Sequence, residues 1–319
     1  MTVAQQRTVP RDQWLSLSRE YHNRVQKWTV PFRQRRKVGQ SHPVHDFLFV
    51  YYQYSPAKLE HWHPGIGVLL ENANERPAWM DESDYATSNN CLFLDPRKLS
   101  QRLAERLIWI LEMLTRTQER EPHFSCFGLH EWAMVYQGEE VRHEKSTPFR
   151  LPQVEIDRVV EGRPLTCTHF DAYRFFADSA KPKNRITPTM DDRIVLEQPA
   201  CIHANMDLYK WAYKSMPWIG SDLLWQCFEL AMTARVIDMR ASPYDLSAYE
   251  ILDSQENGSE CQLDAAFNHF APIPVETPAG RREYELAQRE LYSRGLETRG
   301  ELISKLQSLL NCRVVVAES

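Results

Sequence analysis

Between Ser221 and Ile237 the chain places Leu223, Leu224, Cys227, Phe228, Leu230, Ala231, Met232, Val236 and Ile237 so that, wound as an α-helix, apolar side chains cover nearly all sides. A helix without a solvent face belongs in the centre of a fold, with other elements packed around it. Ser221 stands where it can cap the free amides. The same stretch carries acids that such burial makes costly. Asp238 shares a face with Cys227, Ala231 and Ala234, while Glu229 lies about half a turn away beside Trp225, Met232 and Val236. A buried carboxylate needs a cation, a metal or several donors. Arg235 and Arg240 offer Asp238 an ion pair, whereas the surroundings of Glu229 resemble those of a tuned acid.

The pieces that surround this helix read mostly as further helices. Trp14, Leu17, Tyr21, Val25 and Trp28 recur at three- and four-residue steps, which predicts a helix over 12–28 with Asp12 as its cap and Pro31 as its end. The apolar run 47–54 fits a buried strand or a buried helix equally. Asp95-Pro96 reads as N-cap and first-turn proline of a helix lined by Leu99, Leu103, Leu107, Ile110 and Leu114 and reaching about Thr117. Six prolines divide 148–199 into pieces too short for long helices, predicting loops and one short hairpin. A helix over 202–215 follows, then an exposed loop over 254–260. Thr277-Pro278 opens a charged terminal helix over 277–310, interrupted near Gly295 or Gly300. No regular strand and helix alternation occurs, so the expected fold is mainly α: a single helical domain over 1–319 with a small irregular or β portion.

Composition narrows the function classes. Hydrophobic residues at 43% and charged residues at 25% describe a folded chain, and 38 basic against 43 acidic side chains disfavour a nucleic-acid partner held by phosphate contacts. Seven cysteines without a C-x-x-C pair suit reduced thiols and a cytoplasmic location. Met1 to Pro10 lacks the apolar run of a secretory signal, and no run of apolar residues is long enough to predict a membrane span. Gly65-Ile66-Gly67 starts like a dinucleotide fingerprint but has Leu70 at the third glycine position. No phosphate-binding G-x-x-x-x-G-K-[ST] loop and no G-x-S-x-G elbow is present. His130-Glu131-Trp132-Ala133-Met134 has Met where a zincin helix needs its second histidine.

What remains is three His and acid pairs set in aromatic sequence: His130 with Glu131, His169 with Asp171, and His203 with Asp207. Imidazole and carboxylate are the usual ligands of iron and zinc, and the same groups beside aromatic walls serve as general acid or base on a flat substrate. His169-x-Asp171 has the spacing of a two-His-one-carboxylate triad, with His203 as third ligand. The resulting expectation is an enzyme with a divalent metal, iron or zinc, held by His130, His169 and His203. Glu131, Asp171, Asp207 and Glu229 are its candidate acids, and Trp132, Tyr173 and Trp211 the walls for a small aromatic or nucleobase-like substrate. At least two of the three imidazoles should meet in one cavity with Asp171 or Glu131, because buried polar groups must find polar partners. Bland alternatives stand beside this. His203, Asp207, Lys210 and Lys214 fall on one stripe, as on a solvent-facing helix, and His130 and His169 suit core histidines bonded to backbone carbonyls. His42, His45, His61 and His63 have spacings that suit a metal or an exposed loop. Arg33, Arg35, Arg36 and Lys37, near Trp28, suit a phosphate contact, with Arg35 and Arg36 as candidate substrate-binding residues, or a solvated face.

The strings at 31–65 (PFRQRRKVGQSHPVHDFLFVYYQYSPAKLEHWHPG), 127–137 (FGLHEWAMVYQ), 168–176 (THFDAYRFF), 201–214 (CIHANMDLYKWAYK) and 238–246 (DMRASPYDL) resemble a bacterial family of uncharacterised proteins often labelled 3-methyladenine DNA glycosylase. The resemblance spans roughly 28–246. It implies an N-glycosylase that removes a damaged or modified base, for which Asp171 or Glu229 would stabilise a cationic sugar and position water. The chain has no L-P-G-[VI]-G hairpin of the helix-hairpin-helix glycosylases, and the resemblance carries no catalytic residues across. A third expectation is a non-catalytic nucleotide- or partner-binding protein using Trp28 and the basic run 33–37.

Overall fold

The computed structural model describes residues 7–72, 76–80, 83–138, 147–249 and 267–317, with side chains as far as 313. In chain order, β1 (Arg7–Val9) leads into α1 (Arg11–Lys37), followed by the short helices α2 (Phe47–Tyr51) and α3 (Pro56–Leu59). Strands β2 (Val68–Glu71), β3 (Tyr85–Ser88) and β4 (Cys91–Leu94) come next, then α4 (Gln101–Glu119), α5 (Leu129–Met134) and α6 (Gln153–Glu161). The one-turn helices α7 (Phe170–Tyr173) and α8 (Arg193–Leu196) precede three long ones, α9 (Ile202–Lys214), α10 (Ser221–Arg240) and α11 (Pro278–Ala317). The protein is mainly helical with a small mixed sheet of order β1-β2-β4-β3, in which β1 pairs in parallel with β2 and the other neighbours are antiparallel.

As its apolar surface requires, α10 lies in the interior, with α9 and α11 packed along it. Phe228 anchors the contact: its ring meets Trp28 of α1 at 5.3 Å, Tyr209 of α9 at 5.3 Å and Trp225 of its own helix at 5.0 Å. Ser221 begins the helix rather than capping it; Gly220 is the N-cap residue. The Ser221 hydroxyl instead accepts from the His63 amide at 2.8 Å, joining the helix start to the loop before β2. In that loop the Gly65 backbone meets Gly220 so closely that a Cβ on Gly65 would stand 3.0 Å from the Gly220 nitrogen. The glycines that fail as a dinucleotide fingerprint thus serve a close backbone approach.

Several boundaries differ from the sequence expectation for local physical reasons. Helix α1 continues through Pro31 to Lys37, because Phe32 stacks on Phe49 at 4.7 Å and Arg33 and Arg35 pair with Glu60 and Asp46, offsetting the lost amide. The run at 47–54 becomes α2, a helix of barely more than one turn. Asp95 caps only the 3-10 turn Pro96–Lys98, and Ser100 caps α4 by accepting from the Leu103 amide. Helix α11 runs unbroken past Gly295, whose missing side chain makes room for Asn205; a Cβ there would stand 2.0 Å from its Oδ1. The predicted hairpin is not found among the described residues of 148–199, which form α6, α7 and α8 with two 3-10 or bridge-like pieces between. A hairpin occurs instead at β3–β4, where Asn89 and Asn90 both adopt positive φ, as a two-residue turn requires. The expected loop at 254–260 lies outside the described residues.

Replacing Gly65 by alanine should destabilise the protein by roughly 1–3 kcal/mol, since φ is +81° and the new methyl meets fixed backbone. The urea midpoint should fall, and an unchanged midpoint would show that the loop yields freely.

Candidate metal centre

Five helices bring the chemistry together. Helix α5 begins after Phe127 and Gly128, both at positive φ, and this turn aims His130 and Glu131 toward α10. Helix α9 carries His203, Asp207 and Lys210 at successive turns, and α10 supplies Arg235 and Asp238. From the Pro-rich segment come His169 at the start of α7, Asp171 within it, Arg193 on α8 and Glu197 just after it.

The three predicted histidines converge. The His203 ring lies 4.3 Å from that of His130, near perpendicular, and 5.5 Å from that of His169. His203 borders two cavities at once. One, of about 260 Å³, is also lined by His130, Cys126, Cys167, Cys201 and Tyr284. The other, of about 240 Å³, is lined by His169, Asp171, Glu131 and Asp207 and walled by Phe47, Tyr51, Phe175, Met134 and Met206. The solvent-facing alternative for α9 fails: Asp207 is buried, and its pair with Lys210 at 3.0 Å is interior. The backbone-carbonyl alternative also fails for His130 Nε2 and for both His169 ring nitrogens, which are buried and bond no backbone carbonyl.

Two clusters offer metal-ligand sets, His130–His203–Asp238 and His169–Glu197–Asp207, each with its donor atoms within 4.8 Å of one another. In the first, His130 Nε2 stands 2.9 Å from Asp238 Oδ1, a close ion-pair contact. Two donors bonded tetrahedrally to one ion at ~2.1 Å stand roughly 3.4 Å apart, so a small outward movement of this pair would admit an ion. Arg235 Nη1 holds the other oxygen of Asp238 at 3.0 Å and Glu131 Oε1 at 2.9 Å, and its guanidinium lies over the Phe47 ring. In the second cluster His169 Nε2 is 3.3 Å from Glu197 Oε1 and 3.5 Å from Asp207 Oδ2. Tyr52 donates to the remaining Asp207 oxygen at 2.7 Å.

Charge makes the arrangement unusual. Five buried or mostly buried carboxylates, Glu131, Asp171, Glu197, Asp207 and Asp238, pair with three such cations, Arg193, Lys210 and Arg235, and a fourth, the fully buried Arg299, acts on Glu197. Arg174 also reaches Asp171, from the half-exposed rim. Burial raises the Glu197 pKa against the pull of His169 and Arg193. Burial opposes charge on His130, but Asp238 and then Glu131 outweigh it and raise its pKa. Burial, reinforced by His130, lowers the His203 pKa well below 6.5 and keeps its imidazole neutral, the form that binds metals. Burial would raise Asp238 too, but His130 and Arg235 hold it well below the usual carboxylate range. Protons on His130 and Glu197, or one divalent ion, are the two ways of balancing the excess.

Other candidates lie elsewhere. The Trp132 indole donates to the Ala241 carbonyl at 2.8 Å, Trp211 packs on Trp109, and Tyr173 packs on Phe176; none lines either cavity. Glu229 is half-buried on α10 and joins neither cluster. Arg35 is committed to Asp46, and Arg36 lies over Phe32. His42 and His45 stack at 4.0 Å, His61 stacks on Trp79, and His63 pairs with the Tyr85 hydroxyl at 2.9 Å. Sequence reasoning missed Arg193 and Glu197, which stand among prolines without periodicity, and took Asp238 for an ion pair alone. The buried face of α10 was the signal for Asp238. Compared with protein-family models, curated proteins and solved structures, the chain matches none of them.

Arg235→Met should lower stability by about 3–5 kcal/mol in urea unfolding, because Glu131 and Asp238 then lose their buried cation. A loss below 1 kcal/mol, the scale of surface pairs, would mean that water already reaches the pair.

Proposed function

We propose that this protein is a metal-dependent enzyme that holds one divalent ion, zinc or iron, through His130, His203 and Asp238. The observation that carries the reading is the convergence of His130, His203 and Asp238, whose donor atoms lie within 4.8 Å of one another, with the His203 imidazole kept neutral by burial. Two imidazoles and a carboxylate suit both metals, and three protein ligands leave positions open for water or substrate. The ion would act as a Lewis acid or would activate a bound water. Arg235 and Glu131 fix the Asp238 carboxylate from behind, the support that metal ligands ordinarily require. The substrate is a small aromatic or nucleobase-like molecule, seated between Phe47, Tyr51 and Phe175 with its polar edge toward His169 and Asp171.

Protein purified from metal-supplemented medium should carry about one equivalent of zinc or iron by elemental analysis, and His203→Gln and Asp238→Asn should carry less than about a tenth of that. Glu131→Gln should bind 10–100-fold more weakly, roughly the effect of removing a support group behind a ligand. Wild-type protein without stoichiometric metal would sink the reading. A thermal-shift screen of nucleobases and aromatic acids on the metal-loaded protein tests the substrate class. A ligand at 100 times its Kd adds ~2.7 kcal/mol, and Phe175→Ala should abolish that gain.

A further inference from the structure

We propose that Arg193 is a built-in cation occupying a second metal position, so that the centre holds one ion and His169 stays unligated. This rests on reading His130, His203 and Asp238 as the metal site. His169, Glu197 and Asp207 have every attribute of a second one. Their donor atoms lie within 4.8 Å of one another, and His169 is fully buried. Its Nε2 stands 3.3 and 3.5 Å from Glu197 Oε1 and Asp207 Oδ2, separations that one ion bonded at ~2.1 Å to each would produce.

Those same two oxygens are already taken. Arg193 Nη1 lies 2.8 Å from Glu197 Oε1 and 3.3 Å from Asp207 Oδ2, Nη2 of the same guanidinium bonds Asp171, and Lys210 Nζ, whose charge a proton loss can remove, reaches Asp207 Oδ2 at 3.0 Å from the other side. The first cluster differs at this point. There Arg235 takes Asp238 Oδ2 and leaves Oδ1 open toward His130. A guanidinium is permanently charged and donates from a rigid fork, so Arg193 satisfies three carboxylates at once and cannot give way by losing a proton. On one side of His203 the ligand-set oxygen that faces the imidazole is held by no guanidinium, and on the other both such oxygens are.

The consequence is a reaction class. Two ions ~3.5–4 Å apart clamp both oxygens of an in-line displacement, as in many phosphoester hydrolases. With Arg193 fixed in the second position, that chemistry is closed to this protein. Its site offers one Lewis acid and, beside the aromatic cavity, the unligated imidazole of His169.

Metal stoichiometry tests this without knowledge of the substrate. Protein dialysed against excess Zn²⁺ or Mn²⁺ is analysed by elemental mass spectrometry, and the Mn²⁺ samples also by electron paramagnetic resonance for coupled ions. Wild type and Glu197→Gln should each retain about one equivalent, whereas Arg193→Gln should take up two, returning to one in the Arg193→Gln/Glu197→Gln double variant. Two coupled ions in wild type, loss of the single ion in Glu197→Gln, or one ion in folded Arg193→Gln would each overturn the proposal. The first two outcomes need no Arg193 variant, so the proposal stays falsifiable if that variant fails to fold. Wild type without metal, combined with a Glu197-dependent ion in Arg193→Gln, would refute the His130–His203–Asp238 site and leave the Arg193 assignment standing.

Discussion

A fully buried carboxylate on a helix that has no solvent face is the constraint from which the centre of this protein follows. Asp238 is 0% exposed on α10, set within the hydrophobic core. Its charge must be met by groups brought from other elements, and the fold supplies them. Arg235 comes from one turn away, His130 from α5, and Glu131 balances the other side of Arg235. Removing any one member leaves another buried charge unpaired, which links the placement of α5 to that of α10 more tightly than apolar packing alone does.

The second charge group repeats the logic one layer outward. Asp207 on α9 draws Tyr52, Lys210 and Arg193, and Arg193 in turn ties Asp171 and Glu197 from a segment with little regular structure. Short helices such as α7 and α8 are too brief to be stable by backbone hydrogen bonding. Their positions are set by these ion pairs and by aromatic packing. The polar network thus organises the Pro-rich segment, and His203, between the two groups, belongs to both cavities.

The legible part of this fold was the part with a period. The encircling apolar pattern of α10, the leucine face of α4 and the start of α11 at Thr277-Pro278 all emerge where the sequence predicts them, as does the convergence of His130, His169 and His203. The unread parts have physical reasons. Helix α1 outlasts Pro31 because tertiary contacts outweigh one missing amide, and Gly295 does not break α11 because it answers a neighbouring helix. The Asn89-Asn90 turn was present in the sequence but lay between strands too short to show alternation. Trp132 and Trp211 were taken for substrate walls because aromatic residues beside a histidine look alike in sequence, whether they face a cavity or the core. The cavity beside His169 is lined by Phe47, Tyr51 and Phe175, the first two on α2, far from any of the three histidines in sequence.

That separation says what kind of site this is. An ion-pair network that served stability alone would be replaceable by well-packed apolar side chains at little or no loss. Here the network instead gathers imidazoles and carboxylates into two tight groups, His130, His203 and Asp238 on one side and His169, Glu197 and Asp207 on the other. His130 and His203 line one cavity and His169 and Asp207 the other, and the aromatic cavity takes Phe47 and Tyr51 from a distant part of the chain. The carboxylates gathered here outnumber the arginine and lysine side chains that pair with them, a surplus that a proton on His130 or a bound cation would balance.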